Sequence, residues 1–275
     1  MNTVLLVARQ ELLLAIRSRW LQMFAVVFGT LALLVSAAGY VVSGGYGLQD
    51  FGRTAASLVQ LVLLIVPLTA LTFGALAITP ERGAAEILFA QPVPRCQILC
   101  GRYLGLFVAL GAAQAIGFGL AALVVHRQAG PEGMAAFLVV VAISLAITAV
   151  FLSLATLLAQ VHTGRRSRAL ARALIVWFVA VVLYDVTVLG IASLLRSGTA
   201  SRLLITAALV NPVDAARTVA FMAVEGTSAF GAASLALFRF TGGPAAAALL
   251  ASTSLTVWAV APLLIAVRRL ARADV

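Results

Sequence analysis

Apolar positions along this chain gather into six uninterrupted stretches, at 20–42, 55–79, 103–125, 134–161, 173–195 and 245–267. Each reaches the roughly 20 residues that a helix needs to cross a hydrocarbon core. None contains an arginine, and Asp185 is the one acid within them. No ten-residue alternation of apolar and polar positions competes, so a membrane barrel is excluded and helices are predicted. Residues 2–18 mix Leu5, Leu6, Leu12, Leu13 and Ile16 with Arg9, Glu11 and Arg17. That pattern predicts an amphipathic helix lying along the membrane interface and leading into the first span. Between the fifth and sixth spans, 203–210 and 215–224 are apolar but too short to cross. Asn211-Pro212 breaks them apart, and two short helices dipping into the outer leaflet are expected there. The predicted fold is an all-α membrane protein: six spans, an interfacial first helix, and short helices in an outer loop over 196–244.

Composition agrees with the pattern. Of 275 residues, 63% are hydrophobic and 10% charged, with a mean hydropathy of +1.11; soluble domains run nearer to about 25% charged. All nineteen basic residues are arginine. A chain without lysine cannot build the phosphate-binding loop whose lysine reaches the β- and γ-phosphates. The arginines lie between apolar blocks rather than in one patch, so topology explains them better than nucleic acid does. Thirteen fall on one side (positions 9, 17, 19, 82, 95, 102, 165, 166, 168, 172, 268, 269 and 272) and six on the other, four of these within the long outer loop. The arginine-rich side is the inner one, which places both termini in the cytoplasm.

The inner segment 80–98 links the second and third spans. Pro80 suits the first position of a helix capped by Thr79, Glu81 favours the positive end of its dipole, and Pro92 and Pro94 stop it. This short helix carries Ile87, Leu88 and Phe89 out of the membrane. Three large apolar residues in a row need either the bilayer interface or a groove in a partner protein. The second inner segment, 162–172, carries Arg165, Arg166 and Arg168 and suits anionic lipid together with partner docking.

These features together resemble ABC-2-type permeases over essentially the whole chain. The elements that carry the resemblance are Glu81-Arg82-Gly83, Glu86-Ile87-Leu88, Gln91-Pro92-Val93-Pro94-Arg95, Tyr184-Asp185 and Asn211-Pro212-Val213-Asp214 with Arg217. The last two are most similar to the branch that serves maturation of the copper enzyme nitrous oxide reductase, although Ala215-Ala216 stands where that branch has a larger apolar residue. The resemblance implies a bacterial inner-membrane protein, a homodimer, two cytoplasmic ATPase subunits and a periplasmic partner of β-helical type. Coupling to the ATPase then falls to Glu81, Arg82, Glu86, Ile87, Leu88, Phe89 and Arg95, with Arg165, Arg166 and Arg168 as a second contact. Asn211, Pro212, Asp214 and Arg217 are expected on the periplasmic docking surface, because the outer loop is where motion of the spans would emerge.

Asp185, near mid-membrane, costs at least about 2.5–3.5 kcal/mol on insertion scales. It serves either a cavity or gate, or a structural bond to a neighbouring helix. Gln60 and Gln114 read as interhelical hydrogen-bond formers, and Tyr184 adjoins Asp185. Cys96 and Cys100 are one helical turn apart but supply only half a tetrahedral site, with no histidine near in sequence. No metal site and no cofactor are expected in this chain. No paired-carboxylate, G-x-S-x-G or H-E-x-x-H constellation occurs, so it is not an enzyme by itself. Two other functions remain open: an ABC-2 exporter of a drug, lipid or other amphipathic substrate, and a membrane scaffold or ion-coupled transporter outside the ABC class. The last of these would usually carry more intramembrane charge than one aspartate.

Overall fold

The computed structural model describes residues 3–42, 48–79, 94–160, 166–224 and 240–272. The described residues form an all-α membrane protein. In chain order the elements are α1 (Thr3–Ile16), α2 (Arg19–Val42), α3 (Leu48–Ile78), α4 (Arg95–Ala159), α5 (Arg166–Phe178), a π-helical turn (Val179–Leu183), α6 (Tyr184–Leu194), α7 (Ser197–Val210), α8 (Pro212–Val224) and α9 (Pro244–Arg272). Six segments are long and apolar enough to cross a membrane, one for each predicted stretch. The third and fourth spans are both within α4, turned at Gly130, whose φ of 62° and ψ of −157° suit glycine alone. The fifth span is α5, the π turn and α6 in succession.

With lipid as solvent, burying apolar surface between spans gains little, and close packing and hydrogen bonds hold the bundle. Phe28, Phe118 and Phe137 meet edge to face from spans one, three and four, at centroid distances of 5.0 and 5.7 Å. Gln114 is fully buried between spans three and four, donating to Thr148 Oγ1 and accepting from Ser144 Oγ, both at 2.7 Å. Every polar atom of that amide thus has a chemical reason to be there. Gln60, by contrast, is exposed on span two.

The first helix differs from its sequence reading in one respect. Its outer face, with Leu5, Leu6, Leu13 and Leu14, is exposed as an interfacial helix requires. Glu11, however, is buried against α4 and accepts a hydrogen bond from Arg102 Nε at 3.3 Å. Close approach makes this possible. A β-carbon added at Gly105 would sit 2.5 Å from the Ala8 carbonyl oxygen, and one at Gly101 would sit 2.7 Å from Val7 Cβ. The two glycines, one turn apart, let the backbones touch, and the carboxylate meets a guanidinium where the interfacial reading had it facing water.

Candidate functional site: the seat of the outer helix pair

At 14 and 13 residues, α7 and α8 are each about 20 Å long, short of the roughly 30 Å hydrocarbon core. They meet at 97° and so do not continue as one straight crossing. The bend is deep. Tyr184 lies ten residues, or about 15 Å, before the end of α6, and its hydroxyl donates to the Ala207 carbonyl at 3.1 Å. A helix end at that depth has no water to satisfy its last carbonyls, so protein must do so. Besides Tyr184 from span five, Ser254 Oγ and Trp258 Nε1 from span six donate to the Leu209 and Val210 carbonyls.

Asn211 turns the chain. Its Oδ1 accepts from the Val213 N–H at 3.0 Å, capping α8, and Pro212 takes the first helical position, where a missing N–H costs nothing. Its Nδ2 donates to the Ala180 carbonyl at 2.8 Å, inside the π turn of span five. A π turn breaks regular α-helical pairing, and the amide bonds where the ladder is disturbed. Asn211→Ala removes both contacts and is expected to lower stability by about 1–2 kcal/mol. Asn211→Asp keeps the cap acceptor without the Nδ2 donor, and should recover about half of the loss in thermal unfolding. Equal melting temperatures for all three proteins would contradict this.

The first turn of α8 places Asp214 beside Arg217 on one helix face. Arg217 Nη1 lies 2.7 Å from Asp214 Oδ1 and 2.8 Å from Asp185 Oδ2. One nitrogen therefore joins the outer helix pair to span five, while Arg217 Nε is buried with no hydrogen-bond partner. Two carboxylates share one guanidinium, which positions all three groups.

Asp185, Tyr184, Asn211, Asp214 and Arg217 thus converge on one seat, although they lie up to 33 positions apart in sequence. Asn211 and Asp214 are buried within the subunit; the Asn211 amide nitrogen bonds to span five directly, and Asp214 is linked to it through Arg217. The outer-loop motif that sequence reasoning placed on a docking surface is occupied in holding the helix pair to the bundle. Sequence reasoning missed Ser254 and Trp258, which stand one turn apart on span six. Their spacing was the available signal, but it did not say which carbonyls they would meet. That reasoning read Arg172 only as part of the basic inner segment, whereas its Nη1 donates to the Leu158 carbonyl at 3.1 Å near the end of span four, and it missed Trp177, whose Nε1 donates to the Leu64 carbonyl on span two. Of the proposed coupling residues, Arg95 opens α4 and Arg166 and Arg168 lie in the first turn of α5. Glu81, Arg82, Glu86, Ile87, Leu88, Phe89 and Arg165 fall outside the described residues. Cys96 and Cys100 are free, half-buried thiols.

Six apolar spans and a bent helix pair seated on intramembrane charge define a multi-pass helical membrane protein. Residues 5–275 match the ABC-2 family transporter protein family. A relative from Pseudomonas aeruginosa named "Probable ABC transporter permease protein NosY" is 33% identical over 243 residues, covering 86% of this chain and 88% of its own length. A protein of the same name from Stutzerimonas stutzeri is 35% identical over 242 residues, covering 86% of this chain and 87% of its own length. The chain belongs to the ABC-2 family and is an ABC transporter permease.

Proposed function

We propose that this permease relays motion from a cytoplasmic ATPase to the periplasmic face of the bacterial inner membrane, in the service of copper-site maturation of nitrous oxide reductase. Similarity over most of the chain to two relatives named NosY supports this branch of the family. The observation that carries the relay is the Arg217 bridge between span five and the outer helix pair. Span five begins at the second inner segment, runs through the π turn and is bonded at Asp185 to the pair, so a displacement of its inner end reaches the outer helices through one connected element. Both termini are cytoplasmic, following the arginine asymmetry. The working unit is a homodimer with two ATPase subunits, which supply the hydrolysis that this lysine-free chain does not perform. Within one subunit, the most apolar stretch of span five contributes no buried residue, which leaves that span available to a second copy. A β-helical periplasmic partner completes the assembly above the outer helices.

The ATPase docks on the first inner segment, with Leu88 and Phe89 as anchors, since a few buried apolar residues dominate such interfaces. Replacing both with Asp is expected to abolish co-purification of the ATPase while the permease stays in the membrane. Undiminished co-purification would reject this docking site. Deleting the gene is expected to leave nitrous oxide reductase short of copper. A fully loaded enzyme in the deletion strain would favour an exporter of amphipathic molecules instead.

A further inference from the structure

A groove of about 470 Å³ lies between spans one, two and five, within the range of pockets that hold small ligands. Trp20 and Val27 of span one, Ile65, Thr69 and Thr72 of span two, and Leu170 of span five are among its lining residues. Its only hydroxyls are already engaged, Thr69 Oγ1 donating to the Ile65 carbonyl at 2.9 Å and Thr72 Oγ1 to the Leu68 carbonyl at 2.7 Å. The interior therefore offers nothing to a polar ligand and suits hydrocarbon.

Its position narrows the choice. Trp20 is at the arginine-rich start of span one, largely exposed, as indoles at a membrane surface are. Val27 lies about 10 Å further in, and Ile65 about 20 Å from the end of span two at Ile78. The groove thus runs from the surface to about the bilayer midplane, the depth of one leaflet. Its mouth carries basic residues: Arg19 lies one turn before the lining residue Met23 and Arg17 three positions before Trp20, both exposed. Apolar walls one leaflet deep below two exposed arginines match one ligand chemistry, an acyl chain attached to an anionic headgroup.

We infer that this groove binds one anionic phospholipid from the leaflet at the arginine-rich end, its chain between spans one, two and five and its phosphate beside Arg17 and Arg19. The lipid spans the gap between span five and the rest of the bundle, so it sets how readily that span shifts against spans one and two. This inference rests on the groove and its mouth alone, and stands or falls separately from any role in copper-site maturation.

The test is native mass spectrometry of the detergent-solubilised chain, titrated with phosphatidylglycerol and, separately, with phosphatidylcholine of identical acyl chains. One phosphatidylglycerol per chain is expected, bound about thirtyfold more tightly than phosphatidylcholine, since each arginine near an anionic surface contributes about a factor of five. Arg17→Gln with Arg19→Gln should bring the two lipids to equal affinity while leaving the apolar walls intact. Thr69→Phe, which fills the groove, should weaken both about tenfold, with an unchanged melting temperature confirming the fold. Equal affinity of the unaltered chain for the two lipids, or retention of phosphatidylglycerol by the filled variant, would overturn the inference. So would efficient cross-linking of two copies through Leu174→Cys in a chain with Cys96 and Cys100 changed to serine, because the groove would then belong to a subunit contact.

Discussion

Arg217→Ala is expected to destabilise the protein by about 2–3 kcal/mol, because removing one partner of a half-buried ionic group leaves the other charges uncompensated. Asp185 and Asp214 would face each other across the empty position, with no guanidinium between them. The seat would open there, while Tyr184, Ser254 and Trp258 would still hold the carbonyls of α7. Trp258 bonds to the end of α7, so thermal unfolding in detergent, followed by its indole fluorescence with Trp20 and Trp177 changed to Phe, gives the measurement. A charge swap separates pairing from simple loss of a side chain. Asp185→Arg alone places two guanidiniums beside Asp214, and Arg217→Asp alone collects three carboxylates. Together they restore two acids and one guanidinium with the bridge reversed. The swapped protein should regain at least half of the stability lost in either single variant. A swap that melts like the worse single variant would mean that the bridge is not what holds α8 to span five.

The second large effect is expected at the contact of α1 with α4. In Gly105→Leu the new side chain would start 2.5 Å from the Ala8 carbonyl oxygen and 2.8 Å from Glu11 Cβ, where backbone cannot yield. Overpacking of this kind costs up to about 3 kcal/mol. The first helix is held by this contact and by Glu11–Arg102, so it should detach while the spans stay folded. Tryptic cleavage at Arg9 is the readout: opening of the contact should raise its rate about tenfold or more. Arg102→Gln, which loses the charge pair but keeps the glycine contact, should give a smaller increase. Equal cleavage rates for Gly105→Leu and the unaltered protein would show that the glycines do not set the position of this helix.

The two variants act on different physics. At Gly105 the difficulty is volume, and any larger residue meets the same backbone atom. At Arg217 it is unbalanced charge, and a guanidinium returned from the opposite helix relieves it. Both contacts lie where the chain leaves the simple pattern of a crossing helix, and there the bundle depends on particular atoms rather than on apolar content.

The sequence by itself determined the spans. Crossing a hydrocarbon core demands about 20 apolar residues with every backbone group paired inside the helix, and that demand is local, so it is written in consecutive residues. The break at Asn211-Pro212 was legible for the same reason: an amide that caps and a proline that starts a helix act on their immediate neighbours. The position of a single acid within the fifth span was legible too, since position along a helix is a matter of counting. What only the tertiary structure decided is which distant groups answer one another. Asp185 was readable as a group needing a partner, but not as the partner of Arg217, because a charge in the outer loop could equally have faced water. Glu11 read as the polar side of an interfacial helix until two glycines on α4 proved to bring Arg102 within reach. Hydrogen bonds from Tyr184, Ser254 and Trp258 to the end of α7 depend on three segments meeting at one depth, and side-chain pattern along any one of them carries no information about the others. Local energetics place a helix in the membrane; only packing between helices says what each buried polar atom finds there.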